Sequence, residues 1–363
     1  MKFPSLHLAK PRPPDRWTLL PVIVLTLFGI LMVYDSSVAI AIRDFGNQYY
    51  FVREQLKWLI AGYIFLVIFS FIDYRALRKL ALPLLLGTMV LLLAVFLPGI
   101  GVKALGAHRW INFGFFVLQP AEVAKLALII YLSAWFATRE TGRFLSFILL
   151  LGMVVGLVLL EPDLGTSVII VTISVLLYYV SGAPLLHFGV LVPTLAVALI
   201  ALAVVSPYRM ARLTTFLHPD RDPLGSSYHI RQALLALGSG GWFGVGIGQS
   251  RQKYEYLPEA NTDSIFAIVG EEIGFVGALA VVLVYVFLAW RGFRIAKRAT
   301  DTFGKLVATG ITVWISLQTV INLSAMVALM PLTGVPLPFI SYGGSSLIIM
   351  MIAVGILLNI SRK

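Results

Sequence analysis

Apolar residues in this 363-residue chain fall into long unbroken runs, without the short alternations that mark half-buried strands and surface helices. Ten runs are long enough to cross a hydrocarbon layer about 30 Å thick, which takes roughly 20 apolar residues in a helix. They centre on Trp17 to Tyr34, Gln55 to Ile72, Leu80 to Leu97, Pro120 to Ala137, Phe144 to Leu160, Leu164 to Ser181, Leu186 to Ser206, Ile265 to Trp290, Leu306 to Met330 and Ser345 to Ile360. Polar residues collect in the gaps, and one gap, 207–262, is 56 residues long. The pattern predicts an all-α, polytopic membrane protein of about ten transmembrane helices, a single domain over 1–363. The long loop then lies between helices seven and eight.

Charge distinguishes the two faces. Sixteen of the 28 Lys and Arg residues fall in the two terminal segments and in alternate gaps, among them Lys10, Arg78, Arg143, Arg294 and Lys363. Only four acids accompany them, Asp15, Asp73, Glu140 and Asp301, while the other segments hold 12 bases and 13 acids. Positive residues in short loops stay cytoplasmic, so both termini are expected inside, the span count is even, and 207–262 is extracytoplasmic. The net charge of +11 then faces anionic headgroups and calls for no nucleic acid.

Composition agrees: 12% charged residues against about 25% in soluble domains, with a mean hydropathy of +0.92, excludes an ordinary soluble protein. Ala39-Ile40-Ala41 resembles a signal cleavage site, yet the first apolar run, about 18 residues, exceeds the roughly 7–15 of a removed signal. An uncleaved anchor is expected. The absence of cysteine excludes disulfides and thiolate chemistry, and the five scattered histidines show no close metal-ligand pairing.

The long loop opens with Tyr208-Arg209-Met210-Ala211-Arg212-Leu213 and passes through a turn-rich stretch, 219–225. A short amphipathic helix is predicted over Tyr228 to Leu237, with Arg231 and Gln232 on its polar side, suited to a membrane interface. A glycine-rich stretch, 238–248, follows. No strand precedes it and no Gly-Lys-Ser/Thr follows, so a nucleotide loop is excluded in favour of a re-entrant or tightly folded segment.

Charges at the ends of membrane helices carry the chemical interest, since each costs roughly 2.5–3.5 kcal/mol at a helix centre. Four clusters qualify. In the first, 257–267, Asp263 opens the eighth span and suits either a helix cap or catalysis; Glu271 and Glu272 beyond it are expected to pair within the bundle. In the second, Glu122 and Lys125 share a face at i, i+3 behind Pro120, as an intrahelical ion pair or a phosphate-holding lysine. The third places Arg109 beside Trp110, within 106–111, as an interface anchor or an anion contact. The fourth, Glu161-Pro162-Asp163, is a tight turn in which Asp163 is a helix cap or a site residue. Together they set acids and bases near one membrane surface beneath a long loop, an arrangement suited to a charged, membrane-bound substrate.

The strings Asp222-Pro223-Leu224-Gly225, 257–267 and 338–346 resemble the SEDS family (shape, elongation, division and sporulation), the peptidoglycan glycosyltransferases FtsW and RodA with SpoVE. The resemblance covers essentially the whole chain. Gly248-Gln249-Ser250-Arg251-Gln252-Lys253 is similar to the FtsW and SpoVE branch, while Asn261 and Ser264 stand where many members carry His and Phe. The resemblance implies polymerisation of lipid II, an undecaprenyl-diphosphate-linked disaccharide-pentapeptide, at the outer face of the bacterial cytoplasmic membrane. It also implies a class B penicillin-binding transpeptidase as partner. Asp263 falls on the family's catalytic aspartate, and Glu122, Lys125 and Asp163 fall on positions associated with function.

Elementary chemistry is compatible with those implications. Transfer from a diphosphate needs one base for the acceptor hydroxyl, because the leaving group is already stabilised; glycoside hydrolysis usually takes two carboxylates. Partial burial would raise Asp263 toward the working pH. Lys125 and Arg109 could neutralise the diphosphate, with Glu122 and Asp163 completing the substrate site. No cofactor is required, and a divalent cation could share the phosphate's charge; the metal ligands are unknown. The alternatives are a lipid II flippase or transporter, or a non-catalytic scaffold for a transpeptidase.

Overall fold

A computed structural model describes residues 13–104, 107–114, 116–138, 142–205, 207–218, 225 and 227–362. All ten apolar runs fold as α-helices: α1 (Arg16–Phe45), α2 (Tyr50–Phe71), α3 (Tyr74–Ala94), α4 (Pro120–Phe136), α5 (Phe144–Leu160), α6 (Leu164–Val180) and α7 (Leu185–Val205), then α10 (Ile265–Arg298), α11 (Thr302–Met326) and α12 (Gly344–Ser361). Two shorter helices, α8 (Pro207–Leu217) and α9 (Tyr228–Ser239), lie in the long loop. Among the described residues, seven helices are long and apolar enough to cross a membrane; α4, α5 and α6 have 17 residues each. The chain is a multi-pass membrane protein.

Aspartates start several helices by accepting from free first-turn amides: Asp15 for α1, Asp73 for α3, Asp163 for α6 and Asp301 for α11. Pro120 occupies the first turn of α4, where no amide bond is lost. Helices α4, α11 and α12 form the buried middle, with α12 against α2, α10 against α11, and α4 against α3 and α6. Helix α7 stands at the periphery, with α8 as its main neighbour.

Polar ties collect at the two ends of the bundle. At one end the Arg291 guanidinium donates to both carboxylate oxygens of Asp15, whose own N–H donates to Ser361 Oγ at 3.0 Å. The Tyr74 N–H donates to Asn359 Oδ1 at 3.0 Å, and Arg362 to the Ser70 carbonyl at 3.1 Å. The first and last helices therefore begin and end together.

Two features depart from an all-α expectation of straight helices. Between α3 and α4 lies a three-stranded antiparallel sheet, β1 (Gly101–Ala104), β2 (Ala107–Asn112) and β3 (Val117–Leu118). Its core face is Ala107 and Ile111, which alternate with exposed His108 and Asn112. Helix α10 is broken at Gly274 (φ 68°, ψ −171°), and residues 240–246 thread into the break. A Cβ on Gly240 would meet the Gly270 carbonyl oxygen at 2.0 Å, and one on Gly244 the Glu272 oxygen at 2.1 Å, so only glycine allows this approach. The glycine-rich stretch is thus a tightly folded segment, as expected. The Asp222-Pro223-Leu224 part of the loop motif, Gly106, Arg139 and Glu140, and the first twelve residues with Lys2, Lys10 and Arg12 lie outside the described residues.

Candidate active site

Asp263 sits in the turn before α10, and its backbone is held from two sides. Asn322 Nδ2, on α11, donates to the Asp263 carbonyl at 2.7 Å and to the Val335 carbonyl at 2.9 Å. Ser341 Oγ donates to the Thr262 carbonyl at 2.5 Å, and the Tyr342 N–H donates to the Asn261 carbonyl at 2.9 Å. Two motifs far apart in sequence, 257–267 and 338–346, are therefore stitched into one surface.

The Asp263 side chain is treated differently from its backbone. It is only 9% exposed, yet its one hydrogen bond is a long 3.5 Å contact from Thr262 Oγ1, and no described cation forms an ion pair with it. Burial, with the charge of Glu259 adding to it, pushes the carboxyl up to about 7 against the opposing charge of Arg212. Gly334 approaches the same carboxylate, since a Cβ there would lie 3.9 Å from Oδ2.

Glu122 and Lys125 form the opposite case. Lys125 Nζ donates to Glu122 Oε1 at 2.7 Å and to Gln318 Oε1 at 2.9 Å, and lies 5.0 Å from the centre of the Trp314 ring. Ser346 Oγ donates to Glu122 Oε2 at 3.0 Å. At 1% exposed, Lys125 presents no open face. The geometry is that of the buried ion pair, and an expectation of direct phosphate contact by Lys125 would require the pair to part. Gln318 and Asn322 are four residues apart on α11, so one helix face links this pair to the Asp263 turn.

Arg109 on β2 donates from Nε to the Glu161 carbonyl at 3.0 Å and from Nη2 to the Pro162 carbonyl at 2.5 Å, tying the sheet to the α5–α6 turn. Asp163 caps α6, accepting from the Thr166 N–H at 3.0 Å and hydroxyl at 2.8 Å, and from Gln119 Nε2 at 3.3 Å. Its cap role is realised in full. The start of α6 presses on the segment that approaches Asp263: a Cβ on Gly165 would lie 2.7 Å from Val335 Cγ2 and 2.9 Å from the Thr333 oxygen. Residues 333–335 are thus packed between the Asp163 turn and the Asp263 turn.

Sequence reasoning passed over several residues of this region. Glu161 is fully buried with neither carboxylate oxygen hydrogen-bonded among the described residues, and burial, reinforced by Asp163, pushes it up to about 8. His229 on α9 shares a 2.6 Å hydrogen bond with Ser264 Oγ, and burial lowers it to about 4, so the ring is neutral. Lys253 bridges Asp35 at 2.6 Å and Glu272 at 3.1 Å, while Ser250 Oγ donates to Glu271 at 2.5 Å. Pairing of Glu271 and Glu272 within the bundle matches expectation. Asp35 was findable, as the one charged residue between Arg16 and Arg43 in the sequence.

Among the described residues, no group of three or more His, Cys, Asp or Glu side chains is arranged to hold a metal ion.

Known proteins resemble the chain along its whole length. It is 40% identical to the probable peptidoglycan glycosyltransferase FtsW of Trichlorobacter lovleyi (96% of this chain, 93% of the relative). It is also 40% identical to the stage V sporulation protein E of Bacillus subtilis (97% and 98%). Among solved structures it is similar to the rod shape determining protein RodA of Thermus thermophilus, with a TM-score of 0.72 and 29% identity over 98% of each chain. A chain from a peptidoglycan synthase complex that coordinates polymerisation and crosslinking gives 0.79 and 28% identity over 96% of this chain and 98% of that one. The FtsW/RodA/SpoVE sequence profile, described as cell cycle protein, matches residues 16–363, and the chain belongs to that family.

Proposed function

We propose that this protein is an inverting peptidoglycan glycosyltransferase that polymerises lipid II at the outer face of the bacterial cytoplasmic membrane. The names of its relatives support the reaction class, and the observation that carries the residue assignment is Asp263. It is a carboxylate held by its backbone, buried, without an ion-pair partner among the described residues, and poised near neutral pH. That is what a general base for a sugar hydroxyl requires.

In the proposed step Asp263 takes the proton of the acceptor hydroxyl as its oxygen attacks the anomeric carbon of an α-linked donor. The bond from that carbon to the diphosphate breaks, the lipid diphosphate leaves with the electron pair, and the new linkage is β. Arg109, half-buried with Nη1 unengaged among the described residues, is the cation assigned to the departing diphosphate. Asp163 orders the turn on which Arg109 docks. Glu122 and Lys125 act by positioning, through Gln318 and α11. No cofactor is required, and a divalent cation could share the diphosphate's charge.

All ten long helices cross the membrane in this reading, with 207–262 outside and both termini in the cytoplasm. The supporting observation is that Asp15, Arg291 and Ser361 meet at the end where the basic residues gather. A class B penicillin-binding transpeptidase is the proposed partner, in keeping with the synthase complex to which the fold is similar.

The test is glycan-chain formation from lipid II by purified protein, for wild type and Asp263→Ala, each with and without a candidate transpeptidase. Polymer from wild type and none from the variant is the expected result. A flippase or a scaffold alone makes no polymer in either arm.

A further inference from the structure

Residues 233–250 form an 18-residue stretch without a single Asp, Glu, Lys or Arg. Part of that stretch is the strap threaded into the break of α10, and its side chains point outward: Phe243 is 82% exposed, Trp242 69%, Ile247 59% and Val245 46%. Left in water, such a patch would be a liability. It continues directly into the outward face of α10, because the Trp242 ring meets the Phe275 ring edge-on at 5.3 Å and Phe275 and Val276 are themselves exposed.

The depth of this patch follows from the helix. Trp290, with the Arg291 and Arg294 guanidiniums each 5.4 Å from its ring, marks the basic interface at the other end of α10. Fifteen residues separate Trp290 from Phe275, or about 22 Å at 1.5 Å per residue, against a hydrocarbon thickness of about 30 Å. Phe275, and with it Trp242, still falls short of the opposite interface; any tilt of α10 shortens the vertical distance and sinks them further.

Irregular backbone at that depth is tolerated only where its polar groups are satisfied, and four backbone hydrogen bonds span the break. The N–H groups of Val245 and Gly246 donate to the Glu271 and Glu272 carbonyls at 3.0 Å each, while those of Phe275 and Val276 donate back to Gly241 at 2.9 Å and Trp242 at 3.1 Å. The strap replaces the helical bonds that the break removes.

We infer that the Trp242–Ile247 strap is a re-entrant wedge whose side chains are seated among the acyl chains of the membrane leaflet on the loop side. The wedge fixes the long loop at a set depth. Through Glu271 and Glu272, which hold Ser250, Arg251 and Lys253, that depth is passed to the segment leading into Asp263. The inference rests on the membrane fold and is independent of the polymerase reading.

The cysteine-free chain permits a direct test. Full-length Phe243→Cys and Ile247→Cys proteins, nitroxide-labelled and reconstituted in phosphatidylethanolamine–phosphatidylglycerol vesicles, are compared with Leu283→Cys, on the exposed face of α10, and Asp44→Cys, at the far end of α1. At 243 and 247, collisions with oxygen are expected to exceed those with a soluble nickel chelate severalfold, as at 283. Nickel-dominated collisions, as at 44, place the strap in water and overturn the wedge. Suppression of both collision rates means that protein covers the patch, which overturns it equally.

Discussion

Glu122 and Asp263 are carboxylates buried to a similar degree at the same end of one bundle, and their surroundings treat them in opposite ways. Glu122 receives an ammonium at 2.7 Å and a hydroxyl at 3.0 Å. Among the described residues Asp263 receives only a distant hydroxyl, although its backbone carbonyl is firmly bonded. A buried charge costs several kcal/mol unless it is paired, so the fold satisfies one carboxylate and leaves the other without a cation among the described residues. The paired group serves packing. The unpaired one carries strain in its ionisation, which is the property chemistry can use.

The largest effect that would break this contrast is at Asp263. In Asp263→Asn, polymerisation is expected to fall by roughly 10²- to 10⁴-fold, the usual contribution of a general base. Wild-type rate is expected to decline as pH drops below about 7, where the base becomes protonated. The same substitution should stabilise the fold. Because the folded carboxyl titrates near 7 and the unfolded one near 3.8, the native state holds a proton that the unfolded chain has released, and wild-type stability falls as pH rises between those values. Removing the charge abolishes that loss, worth at most about 4 kcal/mol above pH 7. Thermal unfolding of wild type and variant at pH 5 and pH 8 measures it. A variant that stays active, or gains no stability at pH 8, removes the distinction between the two sites.

The complementary break is at the satisfied pair. Lys125→Met leaves Glu122 buried without its cation and is expected to destabilise the protein by about 3–5 kcal/mol. The double variant Glu122→Gln/Lys125→Met removes both charges and should recover most of that loss. Thermal unfolding of the two variants beside wild type decides the matter. If the single variant unfolds like wild type but loses turnover, Lys125 meets substrate directly and its role is not positioning.

The helices of this fold were open to reading because apolar runs of 17 or more residues have few other destinations. The ion pair was readable from the i, i+3 spacing of Glu122 and Lys125, and the Asp163 cap from its place in the turn before α6. What escaped was set by contacts distant in sequence. The sheet over 101–118 consists of strands of two to six residues, too short for alternation to register. The first run centres on Trp17 to Tyr34 in the sequence, yet α1 continues to Phe45 with Asp35 inside it, paired with Lys253 from 218 residues away. The break at Gly274 has no local signature either: a glycine in an apolar run is ordinary, and only the strap makes it a hinge. For Asp263, sequence offered the residue but left cap and base equally open. The structure gives the cap position to Ser264 and frees the carboxylate.

Glu161 extends the comparison to a third buried carboxylate, and to an effect expected in stability alone. Like Asp263 it has no ion-pair partner among the described residues, but it sits behind the Arg109 contact with no exposed surface. Below about pH 4.5 the group is protonated in both the folded and the unfolded chain, so Glu161→Gln replaces one neutral group by another and should shift stability by less than about 1 kcal/mol. Above pH 8 the wild-type group has ionised within the protein and its full cost of charge burial is present. There the glutamine variant should unfold at the higher temperature, with the gap opening as pH rises from about 4.5 to 8 and constant beyond. Unfolding temperatures for both proteins at pH 6 and pH 9 read that gap. A gap absent at pH 9 means that Glu161 is paired in the membrane, and Asp263 would then stand alone as the unpaired carboxylate of this surface.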